Sequence, residues 1–267
     1  MINIKDNRVH RLINEGYSHR AIRDITGISV GDISNIRNRP YKKVVGAFGD
    51  THIPFNHPKY LDFIRDTFYK HGVTDIVCMG DLVDNHAISR HQSDPDAMGA
   101  IDEYTDAKIE VSKFVKEFPV VKYVIGNHDA IPQRQVATLG MPSVFIKDYH
   151  ELWGLPYDWE ISDEHIIDGV CYIHGIGAGG KDGAYNLAIK KRMSTVIGHA
   201  HAFAGVKYQA NRMSLIYGAN CGCGVDNESY AMAYGKHFVN RAIMGCCIIY
   251  SSTNAIFVPM SQEYFRG

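Results

Sequence analysis

The stretch Val120-Val121-Lys122-Tyr123-Val124-Ile125-Gly126-Asn127-His128-Asp129 runs from a β-like segment straight into a polar island opened by glycine. The same pattern recurs along the chain. Val44 to Phe48 leads into Gly49-Asp50-Thr51-His52, and Val73 to Met79 into Gly80-Asp81-Leu82-Val83-Asp84. Val170 to Ile173 leads into His174-Gly175, and Thr195 to Ile197 into Gly198-His199-Ala200-His201. Helical segments separate the first three runs. Tyr60, Leu61, Ile64 and Phe68 stand at helical spacing and are closed by Gly72; Ile101 to Phe118 is amphipathic. A β-α-β-α-β order implies a parallel sheet with helices packed on it, and such sheets place their sites where strands end.

The second half adds strand candidates at Trp159 to Ile167, Phe203 to Gln209, Met213 to Tyr217, Arg241 to Tyr250 and Ala255 to Val258, with one helix at Asp182 to Lys191. A second sheet packed on the first makes the fold class α/β, a two-sheet sandwich flanked by helices. Cys78, Cys171, Cys246 and Cys247 lie in apolar runs and read as small core residues. Cys221 and Cys223 form a C-x-C in a Gly-rich loop without a second ligand pair for zinc, and read as loop thiols in a reducing compartment. No apolar run reaches the roughly 20 residues that span a bilayer, and Met1 to Asp6 lacks the apolar core of a signal peptide. A cytoplasmic protein with no membrane partner is expected.

The formal net charge is −1, unevenly spread. Residues 1–43 carry nine Lys/Arg against four acids, a net of +5; the remainder carries 19 against 25, a net of −6. Within the basic part, Val9, Leu12 and Ile13 precede Gly16; Ser18 precedes Ala21, Ile22 and Ile25; Ser29 with Asp32 reads as a capping box before Val30, Ile33 and Ile36. Three short helices with a glycine turn before the last suggest a helix-turn-helix over residues 1–40, similar to those of resolvases and small phage regulators. Its last helix would offer Asn35, Arg37, Asn38 and Arg39 to nucleic acid; the alternative is a packing or homo-oligomerisation module. A linker near residues 39–43 would separate it from a body at 44–267.

The order Asp-x-His, Gly-Asp-x-x-Asp, Gly-Asn-His-Asp, His, Gly-His-x-His resembles that of the calcineurin-like metallophosphoesterase superfamily, over about 150 residues from Asp50 to His201. The resemblance implies two divalent cations, one on Asp50, His52 and His201, the other on Asn127, His174 and His199, with Asp81 shared. It implies a metal-bridging hydroxide attacking phosphorus in line with the departing oxygen. His128 would stabilise the phosphoryl oxygens or protonate the leaving group, oriented by Asp84. Mixed oxygen and nitrogen ligation suits Mn first, with Fe or Zn compatible.

Departures from the family pattern bear on the substrate. The segment after Asp84 reads Asn85-His86, without the Arg-Gly usual in the protein phosphatases of the superfamily, and Gly-Asn-His-Asp looks like its nuclease and phosphodiesterase branches. His86 and His91 could meet the leaving group, although such loop histidines are more often simply exposed. Lys181, Lys190, Lys191 and Arg192 flank the helix after Gly177-Ala178-Gly179-Gly180, whose N-terminus could receive an anion. The leading expectation is a metal-dependent DNA nuclease, similar to small phage-encoded phosphoesterases and so at work in a host cytoplasm. The alternatives are a broad-specificity phosphatase or cyclic-nucleotide phosphodiesterase, and a DNA-binding regulator with a non-catalytic phosphoesterase body.

Overall fold

A computed structural model describes residues 9–10, 12–13, 16–38, 43–90, 97–226 and 241–261. Near the N-terminus, Val9, His10, Leu12 and Ile13 are helical. Two helices follow, α1 (His19–Thr26) and α2 (Val30–Arg37). Ser18 and Ser29 cap them as the sequence suggests, each hydroxyl accepting a backbone N–H three residues on, from Ala21 and Asp32. The Ser29 hydroxyl also donates to the Asp32 carboxylate, which departs from the reciprocal backbone bond of a capping box. Val9, Ile22, Ile33 and Ile36 form a small core of their own. Val30, read from sequence as facing inward, is exposed, as is Ile25, because an eight-residue helix buries only one narrow stripe against its neighbours.

The body contains two sheets. The first has the strands β1 (Val45–Phe48), β2 (Asp75–Cys78), β3 (Val121–Val124), β4 (Trp159–Ser162), β10 (Gly245–Ser251) and β11 (Asn254–Pro259), in the order β11-β10-β1-β2-β3-β4. β1 to β4 run parallel, and β10 and β11 continue the sheet antiparallel. The second has β5 (Glu164–Ile167), β6 (Val170–Ile173), β7 (Ser194–Ile197), β8 (Gly205–Ala210) and β9 (Leu215–Asn220), in the order β5-β6-β7-β9-β8. The run at Trp159 to Ile167, read as one strand, is two. It breaks at Asp163, and its halves pair in different sheets.

Side-chain alternation builds the layers. Val45, Ala47, Val77, Cys247 and Ile249 point between the sheets, where they meet Val170, Tyr172, Val196, Tyr217 and Ala219. Their neighbours Phe48, Ile76, Cys78, Cys246 and Ile248 point outward under α3 (Tyr60–His71) and α4 (Ala100–Glu117), against Ile64, Phe68, Val111 and Phe114. Gly72 ends α3 in the left-handed region, as its place in the sequence predicts. Three further helices are α5 (Ile131–Thr138), α6 (Tyr149–Trp153) and α7 (Gly183–Lys191). All six cysteines are free and buried; Cys221 and Cys223 follow β9 as free thiols packed into the core. No helix among the described residues is long and apolar enough to cross a membrane.

Candidate metal centre

Each polar island sits just past the C-terminal end of a strand: β1, β2 and β3 in the first sheet, β6 and β7 in the second. The chain must reverse sharply there to aim side chains across the strand ends. Asp50 (φ 50°), His52 (φ 49°), Asp81 (φ 47°) and His199 (φ 66°) all lie in the left-handed region. That conformation costs a non-glycine residue about 1–2 kcal/mol and gathers at functional sites. Backbone bonds join the islands, with Asp50 N donating to Gly80 O at 2.9 Å, His52 N to Asp81 O at 3.0 Å and Gly198 N to His174 O at 3.1 Å.

Seven expected ligands converge. His201 Nε2 is 3.1 Å from Asp50 Oδ1 and 3.2 Å from His52 Nε2. His174 Nε2 is 3.0 Å from Asn127 Oδ1 and 3.1 Å from Asp81 Oδ2. Asp81 Oδ2 also lies 3.9 Å from His52 Nε2, so this carboxylate stands between the two groups. His199 joins Asp81 and His174, their ligand atoms within 4.8 Å of one another, as are those of Asp50, His52 and His201. His128 forms a third such grouping with His52 and Asp81.

The chemistry of these atoms fits cations. His174 Nδ1 faces the Met79 carbonyl at 2.7 Å and must carry its proton there. Its Nε2 then presents a lone pair to a carboxylate oxygen and an amide oxygen, neither of which is a donor. His52 repeats the arrangement: its Nδ1 donates to Asp84 Oδ1 at 2.6 Å, leaving Nε2 bare beside His201. Acceptors packed this closely repel unless a proton or a cation lies among them. Burial depresses the His174 imidazole, but Asp81 outweighs it and the ring rises to about 10; a proton takes the cation's place there. Burial penalises the charged Asp81, and His174 more than compensates, holding the carboxyl well below the usual range. His52 and His199 are both pushed down, chiefly by burial, which keeps their rings neutral.

Asp84 does more than the sequence reading assigned to it. Its Oδ1 is shared between His52 Nδ1 and His128 Nδ1, the latter at 3.1 Å. His128 Nδ1 also reaches the Asp84 carbonyl at 2.8 Å. Burial works against the charged His128 ring, yet Asp84 and Asp81 raise it to about 9. The same imidazoles hold Asp84, despite its burial, well below the ordinary carboxylate range.

Asp129, read from sequence as a support for the ligands or a helix cap and not as catalytic, organises the centre. It is fully buried, with Oδ2 accepting from Asp81 N (2.7 Å) and Gly126 N (2.8 Å), and Oδ1 from Leu82 N (3.0 Å) and Val83 N (3.3 Å). The final Asp of Gly-Asn-His-Asp thus clasps the second island to the third. Close approach explains two glycines. A Cβ on Gly126 would lie 2.1 Å from Asp81 Oδ1, and one on Gly198 would lie 2.2 Å from Asp50 Oδ2.

Other sequence candidates fall elsewhere. His86 is buried, its Nδ1 3.9 Å from Asp84 Oδ2, and is not the exposed loop residue expected. His91 and Arg39 lie outside the described residues. Asn35, Arg37 and Asn38 are exposed, opposite buried Ile33 and Ile36. The N-terminus of α7 carries an Asp182–Lys207 ion pair, and at its other end Lys191 pairs with Glu164 at 2.7 Å.

A two-sheet α/β body with Asp, His and Asn acceptors gathered at its strand ends defines a metal-binding hydrolase. Residues 43–203 match the calcineurin-like phosphoesterase family; the chain belongs to that family and is a metal-dependent phosphoesterase. No curated protein sequence matches it. Similar solved structures include vacuolar protein sorting 29 from Cryptosporidium parvum, 13% identical over 83% of this chain and 100% of that one, with a TM-score of 0.43. The E. coli phosphoesterase YfcE is 14% identical over 81% and 98%, with a TM-score of 0.38. Vps29 from Chaetomium thermophilum is 10% identical over 82% and 95%, with a TM-score of 0.37.

Proposed function

We propose that the protein is a two-metal phosphodiesterase acting on nucleic acid. The observation that carries the metal-dependent part is the pair of acceptor clusters joined by Asp81. In this reading Asp50, His52 and His201 hold one cation, Asn127, His174 and His199 the other, and Asp81 both. When bound, such cations supply Lewis-acid charge and activate water near neutral pH. Manganese suits the ligand set best, with Fe or Zn compatible.

The chain's own groups do the rest. Asp84 fixes the tautomer in which His52 offers Nε2 for ligation. It also orients His128 through its carboxylate and its carbonyl, and without metal bound it favours the protonated ring. A cationic His128 can donate to a phosphoryl oxygen, or give its proton to the departing oxygen.

A diester substrate is supported by Gly126-Asn127-His128-Asp129 and by Asn85-His86 in place of Arg-Gly. Nucleic acid is supported by the +5 charge of residues 1–43 and by Asn35, Arg37 and Asn38 on the exposed side of α2. The N-terminal segment, in this reading, is a DNA-contacting module ahead of the phosphoesterase body.

Hydrolysis of bis-p-nitrophenyl phosphate, its monoester, and single- and double-stranded DNA with Mn added tests the reading. Asp81→Asn is expected to abolish turnover. A chain beginning at Lys43 should keep the small-diester activity and cleave DNA less well, with a flatter salt dependence. Preference for the monoester would replace the diesterase with a phosphatase. Equal DNA cleavage by the shortened chain across a salt series would remove the role of the N-terminal segment.

A further inference from the structure

Beside the metal centre, a cavity of about 460 Å³ opens between α5 and the residues after Asp84. Asn127 and His128 form one end, and Ser89, Arg90, Arg134, Gln135 and Thr138 are among the residues lining the rest. Gln135 Nε2 donates to Ile88 O at 2.7 Å, tying α5 to this loop. Arg134 donates from Nη2 to Asn127 O at 2.7 Å, and Arg90 from Nη2 to Thr138 Oγ1 at 2.7 Å. Both arginines are exposed, and no acidic residue lines the cavity among the described residues. A guanidinium has five N–H donors, so each has donors to spare.

Resting on the phosphodiesterase reading, we infer that Arg134 and Arg90 hold the phosphate next to the scissile one in a nucleic-acid strand. Length decides against both arginines serving the scissile phosphate itself. Arg134 is anchored at Asn127, whereas Arg90 is anchored at Thr138, the last residue of the eight-residue α5. At about 1.5 Å per residue, that helix extends the groove roughly 12 Å from the metal end. A phosphate on the metal ligands falls short of the far anchor at Thr138, whereas the next phosphate of the strand lies along the groove between the two anchors. The planar fork of Arg suits phosphate oxygens in two-point contact. The shared chemistry is a phosphate flanking the scissile bond, and a dinucleoside polyphosphate would also present it.

The test compares thymidylyl-thymidine with and without a terminal phosphate, at the 5′ or the 3′ end, and diadenosine tetraphosphate, using the full chain with Mn. Wild type should favour one phosphorylated dinucleotide by about tenfold in kcat/KM, the scale of one charge-assisted contact. Arg90→Ala should reduce that preference severalfold, and the double variant with Arg134→Ala should bring it close to one. Arg134 also holds the Asn127 carbonyl, so Arg90→Ala is the deciding single variant. No preference in wild type, or an unchanged preference in the double variant, overturns the assignment. Preference for the tetraphosphate over both phosphorylated dinucleotides overturns the strand as ligand. Binding of the same dinucleotides to metal-free protein, measured by calorimetry, is the second readout. If no diester is hydrolysed, the phosphodiesterase reading fails separately, and a binding advantage of the terminal phosphate that Arg90→Ala removes still supports the groove; equal binding sinks it.

Discussion

Gly126→Ala adds one methyl group at the point where the third island crosses the second. Its Cβ would stand 2.1 Å from Asp81 Oδ1, 2.3 Å from Asp81 N and 2.8 Å from Asp81 Cγ. Restoring ordinary contact needs a displacement of about 1 Å or more, because non-bonded carbon atoms sit roughly 3.5–4 Å apart. Asp81 cannot yield that distance alone. Its N–H is held by Asp129 at 2.7 Å, its Oδ1 by His128 N at 2.7 Å, and its carbonyl by His52 N at 3.0 Å. Strain of this kind costs about 1–3 kcal/mol of stability, and a misplacement near 1 Å about a hundredfold in rate. Calorimetric Mn titration and turnover of bis-p-nitrophenyl phosphate are the assays, with urea unfolding as the stability check. Gly180→Ala is the control, because nothing lies within 4 Å of its added Cβ. If Gly126→Ala bound Mn and turned over within twofold of wild type (a criterion far inside the hundredfold expected), the close crossing would not govern the site.

Asp129→Ala strands four buried N–H donors and should cost about 4 kcal/mol or more, at roughly 1 kcal/mol per donor, read from urea midpoints; a loss under ~1 kcal/mol would refute its clasping role. Asp84→Asn removes the negative charge that both imidazoles face through Oδ1 and should lower kcat and Mn affinity together by about 10–100-fold, measured by kinetics and calorimetry. Burial raises the Glu103 carboxyl above its ordinary 4.5, although His86 N and Ala87 N donate to it at 2.7 Å. The unfolded chain therefore releases this proton first, so stability is full below 4.5 and falls as pH rises through the native value; Glu103→Gln should flatten that slope in a pH series of unfolding curves. Chelation should lower the melting temperature in a thermal scan, since metal at about 100 times its Kd adds roughly 2.7 kcal/mol.

Strand-forming runs and the residues at their ends were legible because both signals are local. Val45–Phe48, Val121–Val124 and Val170–Ile173 fall within or on their expected segments. α5 was not legible: only Ile131 is buried in it, so Ile131–Thr138 has no apolar stripe to read. α6 is five residues long, too short for an apolar stripe, although Asp148 caps Glu151 N at 2.8 Å and Gly154 closes it. The division of residues 159–167 between two sheets was equally hidden, because sheet membership depends on partners and not on the run itself.

Sequence alone supplied the polar islands and the order in which strands deliver them, since an apolar run ending in a polar island is a local signal; the division of those side chains into ligands came from the resemblance the islands carry. Only the tertiary structure decided how those side chains share their atoms. Asp84 serves His52 and His128 at once, Asp129 gathers four N–H groups from two islands, and α5 brings Arg134 against Asn127. Except at Gly126 N, the first two link residues 32 to 48 positions apart. Sheet register and chain crossing set such distances, and no local pattern in the chain specifies them.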